Sequence, residues 1–234
     1  MSLIKRFARN AVGRDFAVGD IHGHFTRLQA TLDAYGFDPA TDRLFAVGDL
    51  VDRGPECCAA LDWLDLPWFF SARGNHDDYV VRFDTCDVAN WMYNGGSWFA
   101  GLAWDVQREY AIQFAELPYA IEVETSAGVV GIVHADCPVA NWSDLPAALD
   151  SRNGRNACMW SRSRIEQADR RAVAGITAVV CGHSALNLPV LLGNVYHIDT
   201  GGWLPQKGGY FTLLNLETLE SSPAMLTQLE WDDL

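Results

Sequence analysis

The sequence predicts an α/β protein: a parallel βαβ half followed by a β-rich half, with helices outside. Three observations lead there. The five residues Phe-Ala-Val-Gly-Asp occur twice, at 16–20 and 45–49, each a short apolar run stopped by glycine and followed by an acid. One stretch of helical periodicity separates the copies, so strand, helix and strand fit into about thirty residues, the span of a right-handed crossover in a buried parallel sheet. From Tyr119 onward, alternation and short apolar runs between turns indicate a second, mainly antiparallel sheet.

Asp15 to Gly19 reads as the first strand, and Leu28, Leu32 and Tyr35 set a helix over Phe25–Tyr35 that Gly36 ends. Leu44 to Val47 is the second strand. Pro55 opens a second helix reaching about Leu64, since proline is well tolerated in a first turn. Trp68 to Ser71 is a third strand. The aromatic-rich piece from Asp78 to Trp104, broken at Gly95-Gly96, fits a helical side layer, and Asp105 to Glu116 a helix closed by Leu117-Pro118. Tyr119–Thr125 and Val129–Val133 form a hairpin. A loop-rich stretch around Asn153-Gly154 follows, then strands at Ala178–Cys181, Val195–Ile198, Tyr210–Leu216 and, last, Ala224–Leu229.

The chain has 234 residues, 49% of them apolar, which is enough for a sizeable core and rules out a disordered chain. Its net charge of −13 argues against nucleic acid held by general electrostatic attraction. No run is apolar and long enough for a signal peptide or a membrane span, and Met1 to Asn10 reads as a solvated basic tail. Six scattered cysteines, without metal-binding spacing, read as reduced thiols of a cytoplasmic protein.

Polar motifs follow the strand ends: Gly-Asp-Ile-His-Gly at 19–23, Gly-Asp-Leu-Val-Asp-Arg-Gly at 48–54, Gly-Asn-His-Asp at 74–77, His-Ala-Asp at 134–136 and Gly-His-Ser at 182–184. Each alone is a common turn; all five behind apolar strands point to one site, because ligands bind at the carboxyl ends of such strands. Asp20 and His22, two apart in an extended turn, can reach one metal; Asp49 can bridge two; Asn75, His134 and His183 offer one oxygen and two nitrogens. Oxygen and nitrogen donors without sulfur suit Mn²⁺, Fe or Zn²⁺. Two such ions would lower the pKa of a bridging water and hold phosphoryl oxygens for in-line attack. With Arg53 and Arg73 added, the pocket is cationic inside an acidic protein and fits a phosphate monoester. His76 is placed to protonate the leaving group, with Asp52 holding its tautomer. His24 lies at the rim, and His197 reads as a core or supporting residue.

These motifs resemble those of the phosphoprotein phosphatase family of binuclear metallophosphoesterases, nearest its small bacterial and lambda-phage serine/threonine phosphatases. The likeness spans about residues 13–202 and includes Asn94 to Phe99 and Met159 to Arg162. It implies a calcineurin-like sandwich of two mixed β-sheets flanked by helices, in a single domain over residues 1–234. It also implies Asp20, His22 and Asp49 on one metal, with Asp49, Asn75, His134 and His183 on the other. His76 with Asp52 becomes the acid pair, and Arg53, Arg73 and Arg162 meet phosphate, although Arg152, Arg155 and Arg164 lie close to the last. The expected activity is that of a protein phosphatase on phosphoserine or phosphothreonine, with some phosphotyrosine activity; the cofactors are two divalent ions, Mn²⁺ first, and no nucleic acid or membrane partner is expected. The alternative is a symmetrical dinucleoside polyphosphate hydrolase, which shares Gly-Asn-His-Asp but departs from Asp at position 52.

Overall fold

In chain order the elements are β1 (Ile4–Phe7), β2 (Asp15–Val18), α1 (Phe25–Tyr35), β3 (Arg43–Ala46), α2 (Ala60–Leu64), β4 (Phe69–Ser71), α3 (Asn75–Val81), α4 (Val88–Tyr93), α5 (Ser97–Ala100) and α6 (Trp104–Ala115). There follow β5 (Ala120–Thr125), β6 (Gly128–Val133), α7 (Leu145–Asp150), α8 (Arg152–Trp160), α9 (Ser163–Glu166), β7 (Ala178–Cys181), β8 (Val190–Leu192), β9 (Val195–His197), β10 (Leu213–Asn215) and β11 (Ser221–Ser222). The computed structural model describes residues 2–222, so the strand expected at Ala224–Leu229 lies outside the described residues.

Two sheets stack between helical layers. One has the order β11-β10-β2-β3-β4, the other β1-β5-β6-β7-β9-β8. The period-two alternation of strands divides their side chains between two cores. Phe16, Val18, Leu44 and Ala46 pack outward against Leu28 and Leu32 of α1 and Phe114 of α6. Ala17 and Phe45 face inward, onto Ile121, Val130, Ile132 and Val180 of the other sheet. Val133, Val179 and Cys181 pack on that sheet's outer face against Leu145, Leu149 and Cys158. The two mixed sheets flanked by helices are thus present. No helix among the described residues is long and apolar enough to cross a membrane.

The βαβ unit forms as expected: β2, β3 and β4 are parallel, and α1 ends at Gly36, which takes a left-handed φ of 68°. Four expectations need correction. The second sheet is mixed, not mainly antiparallel, because β1 with β5, β6 with β7 and β7 with β9 pair in parallel. The basic start is not a solvated tail: Ile4 is buried, and Phe7 packs on Phe45 and Phe70 at the sheet's edge. The stretch around Asn153-Gly154 is helical, since the Ser151 hydroxyl accepts from the Gly154 amide and caps α8. Pro55 and Glu56 precede the second helix, which begins as a 3₁₀ turn at Cys57–Ala59. The Glu56 carboxylate is committed to α1, accepting from the amide and hydroxyl of Thr26.

Candidate metal centre

Five strands from the two sheets direct their carboxyl ends to one place. β2 leads to Asp20 and His22, β3 to Asp49, β4 to Asn75, β6 to His134 and β7 to His183. These six side chains are all at least nine-tenths buried and lie together. Asp49 Oδ2 is 3.5 Å from His22 Nε2 and 3.4 Å from His134 Nε2. His134 Nε2 is 2.9 Å from Asn75 Oδ1 and 3.1 Å from His183 Nδ1. Asp20 Oδ2 is 3.8 Å from His22 Nε2. Ligand-type atoms of His22, Asp49 and His76 form one compact triad and those of Asp49, His134 and His183 another, so Asp49 is common to both.

The backbone is bent to achieve this. His22, Asp49, Asp52, Arg53 and His183 all have φ between 45° and 70°, a region that side chains other than glycine rarely occupy. Such conformations persist only where surrounding bonds over-determine them, and they collect at functional sites. The bonds are visible. Asp77 accepts from the amides of Asp49, Leu50 and Gly74, joining the second and third motifs. Asp49 Oδ1 accepts from the His76 amide, and Asp20 Oδ1 from the His183 amide. A Cβ on Gly74 would lie 2.1 Å from Asp49 Oδ1, and one on Gly182 2.4 Å from Asp20 Oδ1, so glycine is required at both.

The donors fit divalent ions. His22 Nδ1 donates to the Val51 carbonyl at 2.8 Å, leaving Nε2 as the lone-pair nitrogen aimed at Asp20 and Asp49. The longer 3.3 Å contact from His134 Nδ1 to the Val47 carbonyl does the same for His134. Burial, with Arg53 nearby, holds His22 well below the usual histidine range, and burial next to His134 lowers His183 to about 3. Neutral imidazoles are the form that binds metal. Burial opposes ionisation of Asp49, yet the neighbouring His134 and His76 hold its carboxyl well below the usual range. Burial and the neighbouring Asp199 and Asp49 push Asp20 well up. A dication beside such a carboxylate reverses that penalty.

Around these donors sit His76 and Asp52, the two residues expected to form an acid pair. His76 Nδ1 lies 2.7 Å from Asp52 Oδ2. The indole N–H groups of Trp91 and Trp98 donate to the same carboxylate at 2.7 and 2.6 Å. Arg53 extends one guanidinium nitrogen to His22 Nε2 and the other to His76 Nε2, and stacks on Trp203. Arg162 donates to His183 Nε2 at 2.7 Å. Among its sequence neighbours Arg164 is turned away, to Asp136 and to the Asp169 and Arg171 carbonyls. Arg73 is not brought to the cluster. Its guanidinium donates to the Ala115 and Leu117 carbonyls and to the Tyr119 hydroxyl, and lies 3.7 Å from Asp78. His24 bonds the His22 carbonyl, and His197 is a core residue beside Cys181.

Three participants escape a reading of motifs. Trp91 and Trp98 come from the aromatic side layer; Trp98 lies in the stretch from Asn94 to Phe99 that shares in the resemblance, but nothing in the motifs ties either ring to Asp52. Asp199 is 1% exposed and faces Asp20 and Trp203, with Oδ1 accepting from the Gly201 amide and Oδ2 without a hydrogen-bond partner among the described residues. An orphaned buried carboxylate oxygen is costly unless a cation or proton meets it.

Residues 16–187 match the family described as calcineurin-like phosphoesterase. The chain belongs to that family. Calcineurin-like phosphoesterases use divalent metals, which the donor set above suits, and this one is a hydrolase of phosphoric monoesters. It is 32% identical over 205 residues to serine/threonine-protein phosphatase 2 of Salmonella typhimurium, covering 85% of this chain and 92% of that protein. It is 46% identical to the symmetrical bis(5'-nucleosyl)-tetraphosphatase of Dechloromonas aromatica, but over 68 residues, 28% of this chain and 25% of that one. A solved structure reported as a candidate diadenosine tetraphosphatase superposes with a TM-score of 0.68 over 94% of this chain and 96% of its own, at 21% identity, a likeness of fold.

Proposed function

We propose that this phosphoesterase is a serine/threonine protein phosphatase with two divalent ions, manganese by preference. In this reading Asp20, His22 and Asp49 hold one ion and Asp49, Asn75, His134 and His183 the other. Bound there, the ions supply an activated water and neutralise phosphoryl oxygens. The phosphoryl group enters a pocket of about 200 Å³ walled by Arg53, His76, Trp160 and Arg162. Arg53 and Arg162 release their histidine contacts and take phosphate oxygens, for which planar guanidinium forks are suited. His76 delivers a proton from Nε2 to the leaving alkoxide, while Asp52, fixed by two indoles, keeps the ring in orientation. In this reading Arg73, bonded to the Ala115 and Leu117 carbonyls, is not counted among the residues that grip phosphate. Free cysteines at all six positions fit a cytoplasmic enzyme.

The observation that carries the reading is the His76–Asp52 pair within a chain whose similarity to protein phosphatases runs nearly end to end. A second reading, a symmetrical dinucleoside polyphosphate hydrolase, draws on the 68-residue match and on the fold neighbour. Turnover of a phosphoserine peptide and of diadenosine tetraphosphate by the manganese-reconstituted protein separates the two. The proposal expects the larger kcat/KM on the peptide; the reverse order replaces it with the second reading.

A further inference from the structure

We propose that a groove beside the phosphate pocket is an anion subsite selecting phosphopeptides with a second negative charge about three residues from the phosphorylated one; this rests on the protein-phosphatase reading. The groove, of about 420 Å³, is lined by Arg82, Arg152 and Arg155 together with Asp78, Tyr119 and Trp160. Trp160 is its common wall with the phosphate pocket, standing edge-on to Tyr79 and His183.

Two helices fix the separation. α3 begins with Asn75 and His76 at the metal centre and is followed at its C-terminus by Arg82, ~10 Å further along at 1.5 Å per residue. α8 begins with Arg152 and ends at Trp160, two residues before Arg162, an axial length of ~12 Å. An extended peptide advances ~3.3 Å per residue, so its third residue from the scissile phosphate reaches the groove.

The charge there is out of keeping with the rest of the chain. The protein carries −13 with 17 Lys and Arg, yet four guanidiniums gather near Tyr119. Arg73 and Arg155 lie over its ring at 4.7 and 5.9 Å, and Arg82 and Arg152 line the groove beside it. Among the described residues the one lining carboxylate is Asp78, already bonded to Arg82 at 2.6 Å and 3.7 Å from Arg73. Arg155 donates to the Leu149 and Asp150 carbonyls and pairs with no carboxylate among the described residues, so neutral acceptors leave its charge in place. The exposed side chain of Arg152 makes no hydrogen bond or ion pair among the described residues. Like charges held together around one groove repel unless an anion joins them.

The test uses the full, manganese-reconstituted chain and a phosphoserine peptide with glutamate three residues to either side, against glutamine and lysine counterparts. The glutamate peptide should exceed the lysine one about 5- to 10-fold in kcat/KM, mainly through KM, the size expected of one or two part-exposed ion pairs. Salt at about 0.5 M should shrink the ratio by screening. Arg152→Glu should bring it near unity while p-nitrophenyl phosphate turnover stays at the wild-type rate. Equal rates on the three peptides, or a ratio untouched by Arg152→Glu, overturn the subsite and leave the phosphatase reading standing. Turnover of p-nitrophenyl phosphate without any phosphopeptide turnover overturns that reading and the subsite with it. Loss of diadenosine tetraphosphate turnover in Arg152→Glu, with no effect on peptides, assigns the groove to a polyphosphate and overturns the proposal.

Discussion

Replacing Asp52 by asparagine removes one charge and one acceptor from the most tightly bonded part of the site. Asp52 is fully buried, and its two oxygens face three N–H groups: His76 Nδ1 and Trp91 Nε1 at Oδ2, and Trp98 Nε1 at Oδ1. An amide offers one acceptor oxygen. If that oxygen takes the Oδ2 position, the NH₂ group meets the Trp98 N–H; if the amide flips, it meets that of Trp91. An unpaired buried donor costs ~1–3 kcal/mol. For a chain of this length that lowers Tm by about 2–12 °C. The His76 ring also loses the anion that orients it, and a positioned general acid contributes roughly 10²- to 10⁴-fold. The expected result is a fall in kcat of about 10²-fold on a phosphoserine peptide, whose alkoxide must be protonated as it leaves. On p-nitrophenyl phosphate, with a weakly basic leaving group, the fall should be much smaller. Steady-state kinetics on both substrates, with metal content measured in parallel, is the assay. Equal losses on the two substrates, or loss of metal along with rate, would refute the reasoning.

Two further outcomes follow from packing and from charge. Gly182→Ala sets a Cβ 2.4 Å from Asp20 Oδ1 and 2.6 Å from Val47 Cγ2, so Asp20 has to move. Manganese affinity should drop about tenfold or more in a titration followed by electron paramagnetic resonance, and an unchanged affinity would contradict the close approach. Burial pushes the Cys57 thiol up to about 12 and Cys137 to about 11, and raises Cys158 and Cys181 as well. At pH 8 a thiolate-seeking reagent should therefore modify the exposed Cys58 first and those four only after unfolding. Above the ordinary thiol value of 9.0 the unfolded chain loses these protons while the folded chain keeps them, so stability should fall as pH rises past it. A urea midpoint that stays level between pH 8 and 10.5 would contradict this.

The sequence was most informative where one short motif fixes both a strand end and a donor. Asp20, Asp49, Asn75, His134 and His183 each stand just past an apolar run, so the fold and the convergence of the site were readable together. Contacts between distant elements were not readable. Trp91 and Trp98 look like any core rings until α4 and α5 fold over Asp52, and Gly95 then approaches the Arg53 backbone closely. Arg73 precedes Gly-Asn-His-Asp as an arginine meant for phosphate would, but its guanidinium meets carbonyls at the end of α6, a contact no local motif announces. β1 has two charged residues among four and becomes a strand through parallel pairing with β5, a partner over a hundred residues away. The Asn-Gly pair of α8 reads as part of a loop-rich stretch; the Ser151 cap makes it helical, and the Ala148 carbonyl leaves room there for glycine alone.

The central claim is that Asp49 belongs to both halves of the metal centre, and counting ions in the wild type and in Asp49→Asn tests it most directly. Inductively coupled plasma mass spectrometry after manganese dialysis should give two ions per wild-type chain, with exchange coupling between them in the resonance spectrum. Asp49→Asn should lose both the coupling and at least one ion. A wild type that binds a single ion, or a variant that keeps a coupled pair, would contradict the account.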